Sequence, residues 1–288
     1  MLLVIACGAL LAVAVALCIV WGREPLVEPE IARSPASAAA PTAFRLSRHL
    51  DGLRLYSWWA SMLLVIGTVS GLLVTGAGGR LAMRLLALTS PAATGRLTEA
   101  QATVGRITFE GTLGYLVFGA LPFAFASTAL YLLAAPWLPR GRLAGPTFGL
   151  AAFVMVAPFI DPLRADNIDF DIVGPGWLSV LVFAALAVVQ GAFLAAFAGR
   201  LSRSLPLMTR ANWPDTALPL LLAVVLFPLG AILAVGALVT FAVPRLLPWF
   251  LAVRASRAGV ITGRVLLALA VIAALPAFTG AVVSIWGR

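Results

Sequence analysis

The chain has 288 residues, of which 62 % are apolar and only 11 % charged, against roughly 45–50 % and about 25 % in an ordinary soluble domain. With mean hydropathy at +1.04 and the apolar residues spread from end to end, the composition excludes a soluble globular domain, alone or behind a signal peptide. All 20 basic residues are Arg against 11 acidic ones, giving a net charge of +9 and pointing to a high-G+C bacterial coding bias, while two Cys (Cys7, Cys18) and one His (His49) exclude a disulfide framework, a Cys-rich metal site and most histidine chemistry.

A spanning helix needs about 20 mostly apolar residues, so stretches nearly free of charge mark the candidates. Seven follow in chain order. Residues 1–22 carry no ionisable side chain. Residues 55–79 lie uncharged between Arg54 and Arg80. Between Arg106 and Arg140 the only ionisable residue is Glu110. Residues 143–160 and 172–199 are charge-free, 211–244 carries only Asp215, and 265–287 is charge-free again. Seven of the eight Trp fall at span ends, the aromatic belt of a membrane interface. No alternation of polarity suggests barrel strands. The expectation is an all-α, polytopic transmembrane helical bundle of about seven spans. It comprises an N-terminal helix (1–22) acting as a peripheral anchor, a flexible Pro/Ala/Ser-rich linker (23–54) and a six-helix core (55–288).

The sixth span reads as one helix kinked near Pro228, with residues 246–253 at the interface presenting Trp249; a tight hairpin of two helices is the other reading. Seven crossings with the N-terminus outside divide the arginines 11 inside to 9 outside. That split orients the chain weakly, toward an outside N-terminus and an inside C-terminus, with Asp161, Asp166, Asp169 and Asp171 facing outward.

Few residues invite chemistry. Arg80 and Arg84 lie four apart, on one helical face at the edge of the second span, where a pair of guanidinium groups suits a lipid phosphate or simply snorkels to the interface. Arg106 and Glu110 are also four apart, with Glu110 about one turn inside the third span. An intramembrane carboxylate needs a partner, so Glu110 is expected to pair with Arg80, Arg84 or Arg106. Gln190, near the middle of the fifth span, is expected to hydrogen-bond between helices. Gly67 with Gly71, and Gly141, Gly145 and Gly149, suggest close helix contacts. DPLRADNIDFDIVGPG gathers oxygen ligands without a Ca²⁺-loop spacing and reads as a solvated acidic loop. His49 is expected to be solvated.

The strings GGRLAMRLLALTSP, GRITFEGTLGYLVFGA, YLLAAPWLPRG and DPLRADNIDFDIVGP, spanning about residues 60–205, resemble a group of multi-pass membrane proteins of high-G+C bacteria that carry no assigned function. The resemblance implies a membrane location and transfers no site residue. The chain is thus expected in a bacterial inner (plasma) membrane, with membrane lipids as partners. A membrane protein or a second copy of the chain stays open as a further partner, and neither nucleic acid nor a cofactor is expected. Its function is expected to be that of a lipid-associated or structural membrane protein. A small-solute or ion transporter is the alternative, and an enzyme using Glu110 as a base on a lipid headgroup is a third reading.

Overall fold

The computed structural model describes residues 2–29, 45–106, 108–160, 162–164 and 166–288, and among these it is helical throughout, with one isolated β-bridge, Leu97 to Thr103. The helices are α1 (Leu2–Trp21), α2 (Arg45–Ser70), α3 (Ala77–Leu88), α4 (Phe109–Tyr115), α5 (Leu121–Ala134), α6 (Ala144–Val156), α7 (Asp169–Ile172), α8 (Gly176–Ser204), α9 (Trp213–Ala217), α10 (Leu222–Val225), α11 (Phe227–Ala242), α12 (Leu246–Ala255) and α13 (Arg257–Trp286). A π-helical turn, Gly71–Gly76, joins α2 to α3, and a second, Leu116–Ala120, joins α4 to α5. Five helical stretches are long and apolar enough to cross a membrane: Leu2–Trp21, Arg48–Leu88, Phe109–Trp137, Gly176–Ser204 and Arg257–Trp286. A sixth appears only if α11 and α12, bent by 98°, count as one. The apolar stretch expected at 143–160 forms a shorter helix, Gly141–Val156.

Packing explains the arrangement. α6 lies against α8 at glycines: a Cβ on Gly145 would fall 2.4 Å from the Gly191 carbonyl oxygen, and one on Gly149 would fall 2.1 Å from that of Ala187. Gly67 and Gly71 likewise admit Phe125 and Leu121. These contacts match expectation, whereas Gly141 meets nothing and serves a turn at φ +74°. Around them sit Trp58, Met62, Ile66, Tyr131, Phe148 and Leu194, all buried.

The first helix lies at the edge of the bundle, with only Cys7 and Ala14 buried, and is seated against it. Ala14, fully buried, packs with Val74 and Phe193, and Leu11 reaches the surface of Gly78. The linker expected at 23–54 is also shorter than its composition suggested, because α2 starts at Arg45. Residues 30–44 lie outside the described part. On the near side, Val27 N donates to Ser202 Oγ at 3.1 Å, so residues 22–29 form a strap across one end of the bundle. His49, expected in solvent, places Nδ1 2.6 Å from the Phe241 carbonyl.

Two ends of the bundle can now be distinguished. Trp21 stacks on Phe197 with centroids 5.9 Å apart, and Gly199 abuts the Glu24 carbonyl, so α1 and α8 finish together at this strap end. At the opposite, cap end, Gly176 N donates to Arg288 O at 3.0 Å, so α13 finishes where α8 starts. Since α1 runs beside α8 in the same direction, both chain ends lie at the cap end. Seven crossings would separate them, and so would the expected outside N-terminus and inside C-terminus. The difference arises in 205–256, which begins and ends at the strap end: the Leu205 carbonyl accepts from Trp58 Nε1 at 3.0 Å, and Arg254 reaches Glu28 on the strap. The single sixth span is replaced by a broken one. Leu226 leaves the helix at φ −94°, ψ 60°, two residues before Pro228, and Val243 leaves it at φ −127°, ψ 74°, immediately before Pro244. A proline lacks an N–H and crowds its predecessor out of the α region.

Gly149→Leu should therefore separate α6 from α8 and lower stability by about 3 kcal/mol or more. Thermal unfolding in detergent checks this against Gly280→Ala, a position where an added Cβ meets nothing and where little change is expected.

Candidate functional site

The predicted cluster lies at the cap end. Arg80 is carried on α3 just after the π turn, and its guanidinium lies 5.1 Å from the centroid of the Tyr115 ring. Tyr115 reaches that position because Gly79 has no side chain, a Cβ there falling 1.9 Å from the Tyr115 oxygen. The Tyr115 hydroxyl in turn donates to the Thr75 carbonyl at 2.9 Å, and the Thr75 hydroxyl sits 3.1 Å from both the Gly71 and the Ala120 carbonyls. The two π turns are thus bridged by side chains that occupy carbonyls loosened by the wide turn. Arg80 Nη2 lies 3.8 Å from the Cβ position of Gly111, beside Glu110, and its Nη1 is 4.0 Å from Met83 Sδ. Arg80 Nε is buried without a hydrogen-bond partner.

Arg84, one turn further, donates to the Gly105 carbonyl at 3.3 Å, immediately before Arg106. The helix ends therefore meet as expected. The ion pair does not form: among the described residues no guanidinium comes within 4.0 Å of the Glu110 carboxylate. Glu110 is exposed and occupies the first turn of α4, whose N-cap Thr108 accepts from Gly111 N at 3.1 Å. A carboxylate in the first turn of a helix gains from the unpaired N–H groups there, so it has a stabilising environment without an arginine. Arg106 is exposed.

Gln190 behaves as expected. Buried, it donates from Nε2 to Ser127 Oγ at 3.1 Å across α8 and α5, and Ser127 and Thr128 both donate to the Ala124 carbonyl. The acidic loop leaves Asp166 and Asp171 exposed, as expected, and is also tied into the protein by ion pairs. Arg164 pairs with Glu99 and Asp166, Asp169 Oδ1 accepts from Glu99 N at 2.7 Å, and Arg288 pairs with Asp171 at 3.1 Å. Among the described residues no group of three potential metal ligands assembles.

The most completely engaged charge escaped the sequence reading. Arg254, 5 % exposed, ends α12 and turns into the strap end of the bundle. It pairs with Glu28, donates from Nη1 to the Leu132 carbonyl at 2.7 Å and lies 5.3 Å from the centroid of Trp59. One side chain thereby joins the strap, α2, α5 and α12. Beside it an open cavity of about 290 Å³ is lined by Val27, Glu28, Pro29, Trp58, Ser202, Leu205 and Leu207.

Removing one member of a buried pair leaves an uncompensated charge, at a typical cost of about 3–5 kcal/mol. Glu28→Gln should lower the unfolding temperature markedly. Glu24→Gln, whose carboxylate lies 3.9 Å from the exposed Arg200 and Arg203, should change it little, by calorimetry in the same detergent.

No protein-family model matches the chain, and no curated protein or solved structure is similar to it.

Proposed function

We propose that the chain is a multi-pass integral membrane protein of a bacterial plasma membrane that holds an anionic lipid headgroup at its cap end. Membrane residence is supported by the five long apolar helices and by the large apolar side chains on their outward faces, among them Phe118 (85 % exposed) and Val283 (75 %). In a bilayer such faces meet acyl chains.

The headgroup reading rests on Arg80. Its guanidinium is held at the bundle edge on the face of Tyr115, forms no ion pair among those described, and buries Nε without a partner. Arg84 lies one turn away on the same face. Two planar guanidinium groups one turn apart on one helical face suit a phosphate, which takes paired N–H donors.

The transporter alternative draws support from the broken helices α10, α11 and α12, since discontinuous helices often form substrate sites. Here the break before Pro244 lies at the strap end, where α11 packs on residues 49–56 of α2, and the break at Leu226 lies at the opposite end of α11. Of the central polar groups, Gln190 donates across to Ser127, while Ser127 and Thr128 donate back to the Ala124 carbonyl of their own helix, so these donors are spent inside the bundle. The lipid-binding reading is therefore preferred.

A charge-assisted hydrogen bond contributes about 1.5–3 kcal/mol, so replacing Arg80 and Arg84 together by Ala should weaken retention of anionic phospholipid by roughly tenfold or more. Native mass spectrometry of the detergent-purified protein checks this. Glu110→Gln should leave lipid retention intact. If it instead destabilises the protein while the arginine variant keeps its lipid, the cluster is structural.

A further inference from the structure

We infer that the strap end is the cytoplasmic face of the protein and docks its arginines on the anionic lipid surface of that leaflet. This rests on the membrane-spanning reading above and follows from the placement of both chain ends at the cap end. With that placement the arginine distribution is no longer even.

The strap end holds Arg23 after α1, Arg45, Arg48 and Arg54 at the start of α2, Arg140 and Arg142 between α5 and α6, and Arg200, Arg203 and Arg210 at and beyond the end of α8. It also holds Arg245, Arg254, Arg257 and Arg264 around α12 and the start of α13. That makes thirteen described arginines against four described acids, Glu24, Glu28, Asp51 and Asp215. The cap end holds six, Arg80, Arg84, Arg96, Arg106, Arg164 and Arg288, against five acids, Glu99, Glu110, Asp166, Asp169 and Asp171. The net excess is nine at one end and one at the other.

Pairing sharpens the contrast. Cap-end charges neutralise each other through Arg164 with Glu99 and Asp166, and through Arg288 with Asp171. At the strap end, Glu28 is spent on buried Arg254, Asp51 on Arg54, and Glu24 lies 3.9 Å from both Arg200 and Arg203, so these acids are used while the arginine excess stays. Nine of the strap-end arginines, including Arg140, Arg142, Arg257 and Arg264, are exposed. Short loops rich in arginine stay on the cytoplasmic side, whose leaflet carries the anionic lipids that attract them. α12 fits such a surface. It turns Leu251 and Arg254 inward while exposing Trp249 and Phe250, and arginines flank it at 245 and 257. An aromatic and apolar face bordered by arginine is the composition of an interfacial helix.

The test uses single cysteines in a full-length Cys7→Ser, Cys18→Ser background, probed with a membrane-impermeant maleimide. Ala100→Cys at the cap end should label in right-side-out spheroplasts, and Ala211→Cys and Ala258→Cys at the strap end only in inverted membrane vesicles. The reverse pattern overturns the orientation, and labelling of Ala258→Cys from the same side as Ala100→Cys overturns the shared placement of the chain ends. A chain recovered in the soluble fraction would instead defeat the membrane reading itself. For the lipid surface, the protein is placed in nanodiscs of mixed phosphatidylglycerol and phosphatidylcholine. Replacing Arg140, Arg142 and Arg264 together by Ala should lower phosphatidylglycerol enrichment around it by about twofold. Unchanged enrichment overturns the docking, and Arg80 with Arg84 replaced reports separately on the cap-end site.

Discussion

The contact on which this bundle depends is the backbone approach of α6 to α8. Gly191 and Ala187 present carbonyls where Gly145 and Gly149 have no side chain, and Gly191 in turn lies against the Gly145 carbonyl. In a protein with so little interior polarity, helices gain little from side-chain hydrogen bonds and associate through close van der Waals packing at small residues. This contact fixes α8 at the centre. α1 is then seated through Ala14 on Phe193, α13 through Ile285 on Gly176, and α2 through Trp58 on the Leu205 carbonyl. A side chain at either glycine would disturb all of these placements, because α8 carries each of them.

The paired π turns have a different purpose. One extra residue in a turn rotates everything downstream by about 100° relative to an uninterrupted α-helix. For α3 that rotation decides which face Arg80 occupies, and it sets Arg80 against Tyr115. Thr75 and Tyr115 share the carbonyls of both turns, so the two irregularities support each other across the helix contact. The fold treats its two notable arginines differently. Arg254 is surrounded by a carboxylate, a carbonyl and an indole, all from the protein, and acts as a structural tie. Arg80 receives an aromatic face but no anion among the described residues, which leaves room for one from outside.

Charge-free runs and tryptophan positions made the helical class, the long apolar stretches and the glycine contacts readable in the sequence, as they made Gln190 readable as an interhelical donor. Each of these depends on local composition or on spacing along a single helix. The pairing of Glu110 was misread because burial was judged from distance along the chain to the nearest arginine; Thr108 and the N-terminal turn of α4 supply another stabilisation that a spacing count does not weigh. Arg254 was overlooked for the opposite reason. Its carboxylate partner lies 226 positions away in a Pro-rich stretch read as a flexible linker, and nothing local to either residue signals the other. The run LLPWFLAVR does carry one hint, an arginine closing an apolar segment beside an expected interface tryptophan.

The errors at Pro228 and Pro244 were of a further kind, because their consequence is global. Both prolines are visible, and either can kink a helix without redirecting the chain. Whether the chain continues across or turns back depends on what the broken pieces pack against, and here α11 is held on the strap-end portion of α2 through Tyr56, His49 and Gly52. Turning back changes the parity of the crossings, and parity reassigns every later loop to the opposite side. Arg245, Arg254, Arg257 and Arg264 thereby join the loops that already held most of the arginines, while Arg288 leaves them. With both chain ends at the cap end, a nearly even charge distribution points to the crossing counted within 205–256. In a polytopic chain with scattered arginines, an even split is itself a reason to doubt the span count, since loops segregated by charge are what membrane insertion favours.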